Sequence, residues 1–156
     1  MNSMNERKEN RTFEIRIPKS NAFLLMPKSI IGTLESTASI RQAIEKMKHN
    51  GYTSIPVLTE SGEYFGTVTE GDFLWYFVNQ ESIDFKEMKD ISVADIVRPT
   101  WNAPVTLDAP LDHVLERVLD QNFIPVVDDR NMFMGIITRK SVLKYYHDMM
   151  QQDQNI

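Results

Sequence analysis

Two short runs carry the side chains of this 156-residue chain best suited to chemistry, and they sit at matching places: Thr69-Glu70-Gly71-Asp72 and Thr138-Arg139-Lys140-Ser141, each closing a Gly-x-x-Thr stretch. In both, a β-rich apolar stretch gives way to residues of helical spacing. The Thr69 hydroxyl and the Asp72 carboxylate therefore lie where a helix begins, beside backbone amides that lack intrahelical acceptors and favour anions. Either residue type is also a good helix cap, so capping and ligand contact both stay open for Thr69 and Asp72. The second run differs in charge. Arg139 and Lys140 put two cations at a helix start, where the dipole disfavours them unless something anionic is near. A phosphate would answer that charge, and a pair of solvated surface cations is the alternative. Ser141 stands where Asp72 does, and a serine cannot supply a charged double acceptor. One good site per chain is expected rather than two.

Other chemistry finds little footing. His49, His113 and His147 fall in separate predicted helices, with no second ligand at metal-site spacing. The adjacent acids Glu70 and Asp72 have no His or Ser nucleophile pattern beside them, and no Gly-rich Walker or Rossmann loop occurs. The absence of cysteine removes disulfides and thiolate chemistry and fits a reducing compartment. A net charge of −5 argues against broad nucleic-acid binding, which needs clustered cations to displace phosphate counterions. No apolar run approaches the ~20 residues that span a bilayer. The polar stretch Met1 to Arg11 is unlike a secretory signal, so a cytosolic protein with no membrane association is expected.

The elements that position the two runs are themselves repeated. Ser54-Ile55-Pro56-Val57-Leu58 returns as Phe123-Ile124-Pro125-Val126-Val127, and Gly66-Thr67-Val68-Thr69 returns as Gly135-Ile136-Ile137-Thr138 at the same offset. In the first copy Ile30 to Leu34 reads as a short strand. Ser39 and Gln42 make a capping box for a helix whose apolar positions are Ile40, Ala43, Ile44 and Met47, and Asn50-Gly51 supply its stop. Strands over Ser54 to Leu58 and Tyr64 to Thr69 and a helix over Gly71 to Val78 follow. In the second copy Val105 to Leu107 leads through Asp108, as cap, into a helix, then strands over Phe123 to Val127 and Phe133 to Thr138 and a helix from Arg139 to about Met149. Each unit is β-α-β-β-α. At roughly 55 residues neither would bury both sheet faces alone, so the two should pack together. The expected fold class is α/β (α+β), two such motifs packed as a pseudo-twofold pair. The expected division is an N-terminal tail 1–22, motifs 23–80 and 93–150, a polar linker 81–92 and a C-terminal tail 151–156.

The repeated unit, with Gly51-Tyr52-Thr53-Ser54-Ile55-Pro56-Val57 before its hairpin and Gly66-Thr67-Val68-Thr69-Glu70-Gly71-Asp72 after it, resembles the CBS-domain pair, or Bateman module, over about residues 25 to 150. It is most similar to the short, free-standing CBS pairs of Gram-positive bacteria that bind cyclic di-AMP. Phe133-Met134-Gly135-Ile136-Ile137-Thr138-Arg139-Lys140 and the lack of an attached enzyme or transporter carry that likeness. The resemblance implies a ligand rather than a cofactor: an adenine nucleotide, with AMP, ADP, ATP and cyclic di-AMP not distinguished. It places Asp72 at ribose hydroxyls and Thr69 near phosphate. It lines the adenine pocket with Tyr52, Thr53, Ser54, Ile55 and Pro56, opposite Ile30, Gly32 and Thr33, and offers Lys28, Thr138, Arg139 and Lys140 to phosphate. A Tyr52 stack on the base would contribute roughly 1–3 kcal/mol, although tyrosine at a strand edge is also an ordinary packing residue. The helices carrying Trp75, Tyr76, Phe77, Tyr145 and Tyr146 form the dimer faces of CBS pairs, which implies a homodimer. The function so implied is a regulatory sensor that signals to an unidentified protein partner, without catalysis. The rivals are a constitutive interaction module with a vestigial pocket and, more remotely, a nucleotide-acting enzyme.

Overall fold

A computed structural model of the chain describes residues 20–98 and 100–154, so the expected N-terminal tail lies outside the described residues as far as residue 19. Strands β1 (Met26–Pro27) and β2 (Leu34–Glu35) precede helix α1 (Ile40–Asn50). Strands β3 (Ser54–Leu58) and β4 (Tyr64–Thr69) form a hairpin, and helix α2 (Glu70–Val78) closes the first unit. Helix α3 (Leu111–Asp120), strands β5 (Phe123–Val127) and β6 (Phe133–Thr138) and helix α4 (Arg139–Gln154) repeat that order. The mixed α/β fold is the expected one.

Helix α1 starts at the expected capping box: Ser39 Oγ accepts from Gln42 N at 3.1 Å and Gln42 Oε1 accepts from Ser39 N at 3.0 Å. Ile40, Ala43 and Met47 are buried on one face, and Gly51 ends the helix with φ 66°. Helix α3 departs from expectation. It starts after Pro110, while Asp108 instead accepts a hydrogen bond from the Thr106 hydroxyl. The strand expected over Ile30 to Leu34 is also shorter and later, because Lys28–Ile30 is a 3-10 turn and β2 begins at Leu34. Proline explains the shortening. In the second unit Val105 N donates to the Pro125 carbonyl at 2.9 Å and Val127 N donates to Val105 O at 2.9 Å. Pro125 has no N–H with which to extend that parallel pairing backwards. Pro56 holds the same place in β3, where pairing with β2 begins at Leu34 opposite Val57.

Each sheet has three strands, ordered β2-β3-β4 and β1-β6-β5. Strand β1 thus leaves the first half of the chain to pair antiparallel with β6, Met26 opposite Ile136 and Pro27 opposite Gly135. Only glycine permits this crossing, since a Cβ on Gly135 would lie 2.1 Å from the Met26 carbonyl oxygen. The two hairpins also meet tip to tip, through Tyr64 N to Asn131 O and Phe133 N to Gly62 O, both 3.0 Å. Tyr64, Phe123, Val127, Phe133 and Ile136 fill the space between the units, flanked by one apolar cluster under each. The stretch that reads as a polar linker is tied down: Met88, only 5% exposed, enters the first core from a 3-10 turn at Glu87–Lys89, and Ser92 pairs with Ser39. At the other end α4 continues through 151–154, where a tail was expected.

Candidate functional site

The pseudo-twofold packing leaves two related clefts where the sheets face each other. Cleft A, about 330 Å³, lies between Ile30, Ile31, Gly32 and Tyr52 to Ser54 of the first unit and Asn122, Phe123, Ile136 and Thr138 of the second. Cleft B, about 270 Å³, lies between Thr67, Thr69, Glu70 and Gly71 of the first and Trp101, Asn102 and Asp120 to Phe123 of the second. Thr53 and Ser54 line both, and Asn122 Nδ2 reaches Thr53 Oγ1 at 3.4 Å between them. At the helix starts Glu70 N donates to Thr53 O at 3.0 Å, and Arg139 N donates to Asn122 O at 2.9 Å, so the backbone frame is the same on both sides.

The side chains invert it. The floor of cleft B is polar: Asn102 Nδ2 donates to Thr67 Oγ1 at 3.4 Å, and the Tyr64 hydroxyl donates to Asn102 O at 2.8 Å. Tyr64 spends its one proton there, so Thr67 is the donor in the 2.7 Å Tyr64–Thr67 contact and the ring of hydrogen bonds closes. Arg117 adds a bond from Nη2 to Asn102 Oδ1 at 2.9 Å. Burial pushes the Tyr64 phenol up to about 12 against the opposing Thr67 hydrogen bond, and burial lowers the Arg117 guanidinium from its usual value. At the corresponding places under cleft A stand Phe133, Ile136 and Ile31, which are apolar.

The mouths differ in sign. Cleft B opens past Glu70 and Asp120. Cleft A runs through Asn122 and Thr138 into a groove lined by Arg139, Lys140, Lys144 and His147, with Leu143 between them. Arg139 is anchored there, donating from Nε to Val118 O at 2.6 Å and from Nη2 to Leu119 O at 3.3 Å at the carbonyl end of α3. This is the favourable pole for a cation and offsets the unfavourable N-terminus of its own helix. Lys140 is exposed, and Lys144 pairs with Asp148 at 2.7 Å on the surface of α4.

The expected site residues thus divide. Ile30, Gly32, Tyr52, Thr53, Ser54, Pro56 and Thr138 come together in cleft A, with Arg139 and Lys140 at its mouth. Tyr52 leans over Gly32, whose N–H donates to the phenol oxygen at 3.3 Å; a Cβ on Gly32 would meet the ring at 2.7 Å. Thr69 lines cleft B, and Asp72 lies in the groove that continues it. There they complete a capping box: Asp72 Oδ2 accepts from Thr69 N at 2.8 Å and from Thr69 Oγ1 at 3.0 Å. Asp72 Oδ1 accepts from Arg98 Nε at 2.7 Å, and the Arg98 guanidinium lies 4.1 Å from the Trp101 ring centroid. Three expected residues line neither the clefts nor the grooves that continue them. Ile55 is fully buried because β3 alternates and Ser54 and Pro56 take the cleft side. Thr33 offers its carbonyl to Lys46, and Lys28 faces Asp128, whose carboxyl is held below its usual value mainly by the Met132 and Arg130 amides. Sequence reasoning missed Asn122, Ile136 and Lys144. The first two could have been found by mapping Thr53 and Thr67 onto the second copy, and Lys144 by its place one turn after Lys140.

The family model described as CBS domain matches residues 24–79 and 89–148. The chain is 28% identical over 115 residues to an uncharacterised protein of Methanocaldococcus jannaschii, covering 69% of this chain but only 40% of that one. It is 27% identical over 106 residues to cyclic di-AMP receptor B of Bacillus subtilis, covering 68% of this chain and 71% of that protein. Among solved structures, CbpB in complex with c-di-AMP superposes with a TM-score of 0.79 at 27% identity, covering 87% of this chain and 89% of the other.

Proposed function

Because this chain belongs to the CBS-domain family, we propose that it is a regulatory receptor in which an adenine nucleotide binds in cleft A and changes the surface offered to a protein partner. One observation carries the reading: an apolar-floored cleft opens onto Arg139, Lys140 and Lys144. The base sits between Ile30, Tyr52 and Ile136, Thr53, Ser54 and Thr138 offer hydroxyls, and phosphates meet the Arg139 and Lys140 cations. Cyclic di-AMP is favoured over AMP, ADP and ATP, since the basic groove continues along α4 past Arg139 and Lys140 to Lys144 and His147, which suits a second phosphate, and since relatives are named for that ligand. Lys28 and Thr33 act from outside the pocket, and Ile55 supports β3 from within the core. The protein carries out no reaction of its own and works in the cytoplasm; among the described residues no helix is long and apolar enough to cross a membrane.

Leu74, Trp75 and Val78 on α2 and Leu143 and Met150 on α4 are exposed apolar side chains, which supports association through these helices as a homodimer. Tyr76, Phe77, Tyr145 and Tyr146 pack against the two cores. Isothermal titration of the purified chain with AMP, ADP, ATP and cyclic di-AMP tests the reading. Micromolar or tighter binding of one of them is expected; no heat from any would leave the constitutive interaction module in its place.

A further inference from the structure

Cleft B is framed by the same backbone as cleft A, and its groove holds Asp72, the residue type best suited to accept the paired hydroxyls of a ribose. Three of that carboxylate's roughly four acceptor positions are already taken, and both of its oxygens are engaged. Its Oδ2 takes the Thr69 amide and hydroxyl, and its Oδ1 takes Arg98 Nε at 2.7 Å. Asp72 is 7% exposed, whereas Arg98 reaches it from the segment joining the two units with its guanidinium carbon over Trp101, the ring that walls cleft B. Glu70 stands at this mouth where Arg139 stands at the other.

Resting on the reading of cleft A as the nucleotide site, we infer that Arg98 is the built-in occupant of the groove that continues cleft B: its guanidinium holds the Asp72 carboxylate and the Trp101 ring face that a nucleoside reaching from cleft B into that groove would need, and with Glu70 it restricts the chain to one ligand, in cleft A. Arg98 is a specificity-determining residue that acts by occupying the alternative site. Removing it uncovers a second site for the nucleoside part of the ligand. Affinity there stays below that of cleft A, because Glu70 still repels phosphate.

The test counts ligands and asks where they go. Wild type, Arg98→Ala and Arg98→Met are titrated with AMP and with cyclic di-AMP. The same titrations are followed by fluorescence in a Trp75→Phe background, where Trp101 is the remaining one of the 2 tryptophans. The expected result is one ligand per wild-type chain without change in Trp101 emission, and a second, weaker equivalent in Arg98→Met that moves that emission. Two ligands per wild-type chain, or a Trp101 response with Arg98 in place, would overturn the inference, and so would a folded Arg98→Met that still binds one. Arg98→Met keeps the apolar stem on Trp101 should Arg98→Ala fail to fold, and the Trp101 readout in the Arg98-containing chain needs neither variant. If wild type binds nothing, the reading of cleft A falls. Binding by Arg98→Met alone, reported by Trp101, would then still support the occupant role, while its absence would overturn that as well.

Discussion

Replacing Arg139 by methionine separates a binding role from a structural one. The guanidinium spends Nε and one Nη2 hydrogen on the Val118 and Leu119 carbonyls and keeps its other N–H groups for a ligand. A hydrogen bond from a charged donor to phosphate contributes about 1.5–3 kcal/mol. Its loss should therefore raise Kd about 10- to 150-fold. The structural effect is smaller. Removing a half-buried cation from the carbonyl end of α3 costs about 1 kcal/mol, which in a chain of this size lowers Tm by roughly 2–4 °C. Glu70 occupies the matching place at the other cleft, so Glu70→Met serves as the paired control and should leave Kd for cleft A unchanged. Calorimetry gives the affinities and thermal denaturation the stabilities. An Arg139→Met protein that binds as tightly as wild type would refute the assignment of the basic mouth to phosphate. A fall in Tm far beyond the expected few degrees would show that Arg139 works chiefly as a tie between α3 and α4.

Two further outcomes follow from the packing. The Tyr64 phenol titrates at 10.0 in the unfolded chain and at about 12 in the folded one. Its contribution is therefore fully present below pH 10 and is lost as pH rises through 12. The stability difference between wild type and Tyr64→Phe, read from urea midpoints, should shrink by about 3 kcal/mol over that window, and a constant difference would mean the phenol is not buried in its hydrogen-bond ring. Gly135→Ala drives a Cβ into the Met26 carbonyl. Overpacking of this kind costs about 1–3 kcal/mol, equivalent to a Tm lower by roughly 2–12 °C. Because β1 must move, amide exchange at Met26 should accelerate more than exchange within the β5–β6 hairpin; equal acceleration would point to general loosening.

Much of the fold was legible because it is written twice. Ser39, Gln42 and Gly51 act locally, so the ends of α1 could be read from their types and spacing alone. The hairpins were legible because Ile55, Val57 and Val68 and their counterparts in the second copy repeat at fixed spacing. What stayed hidden depends on contacts distant in sequence. Met26 and Pro27 are too few to show a period, and their partner strand lies in the other unit. Met88 looked like part of a linker because its apolar neighbours come from elsewhere in the chain. The site suffered in the same way. Tyr52 and Asp72 share one motif but belong to different clefts, because the pseudo-twofold axis joins the hairpin entry of one unit to the helix start of the other.

That crossed construction also bears on how binding could be felt elsewhere. In the proposed complex a phosphate at the mouth of cleft A would meet Arg139, which already ties α3 to α4 through the Val118 and Leu119 carbonyls. The base would meet Tyr52, which rests on Gly32 and also walls an apolar groove between α1 and α2, beside Phe73 and Phe77. One ligand so placed in cleft A would touch the packing of all four helices from a single position. A ligand shifts an equilibrium only by the difference in its affinity for the two states. The affinity carried by Arg139 and Tyr52 therefore sets an upper bound on the free energy available to change the exposed α2 and α4 surfaces. Cleft B differs in that its floor is a closed ring of hydrogen bonds among Tyr64, Thr67 and Asn102, and Arg98 stands over Trp101 beside it.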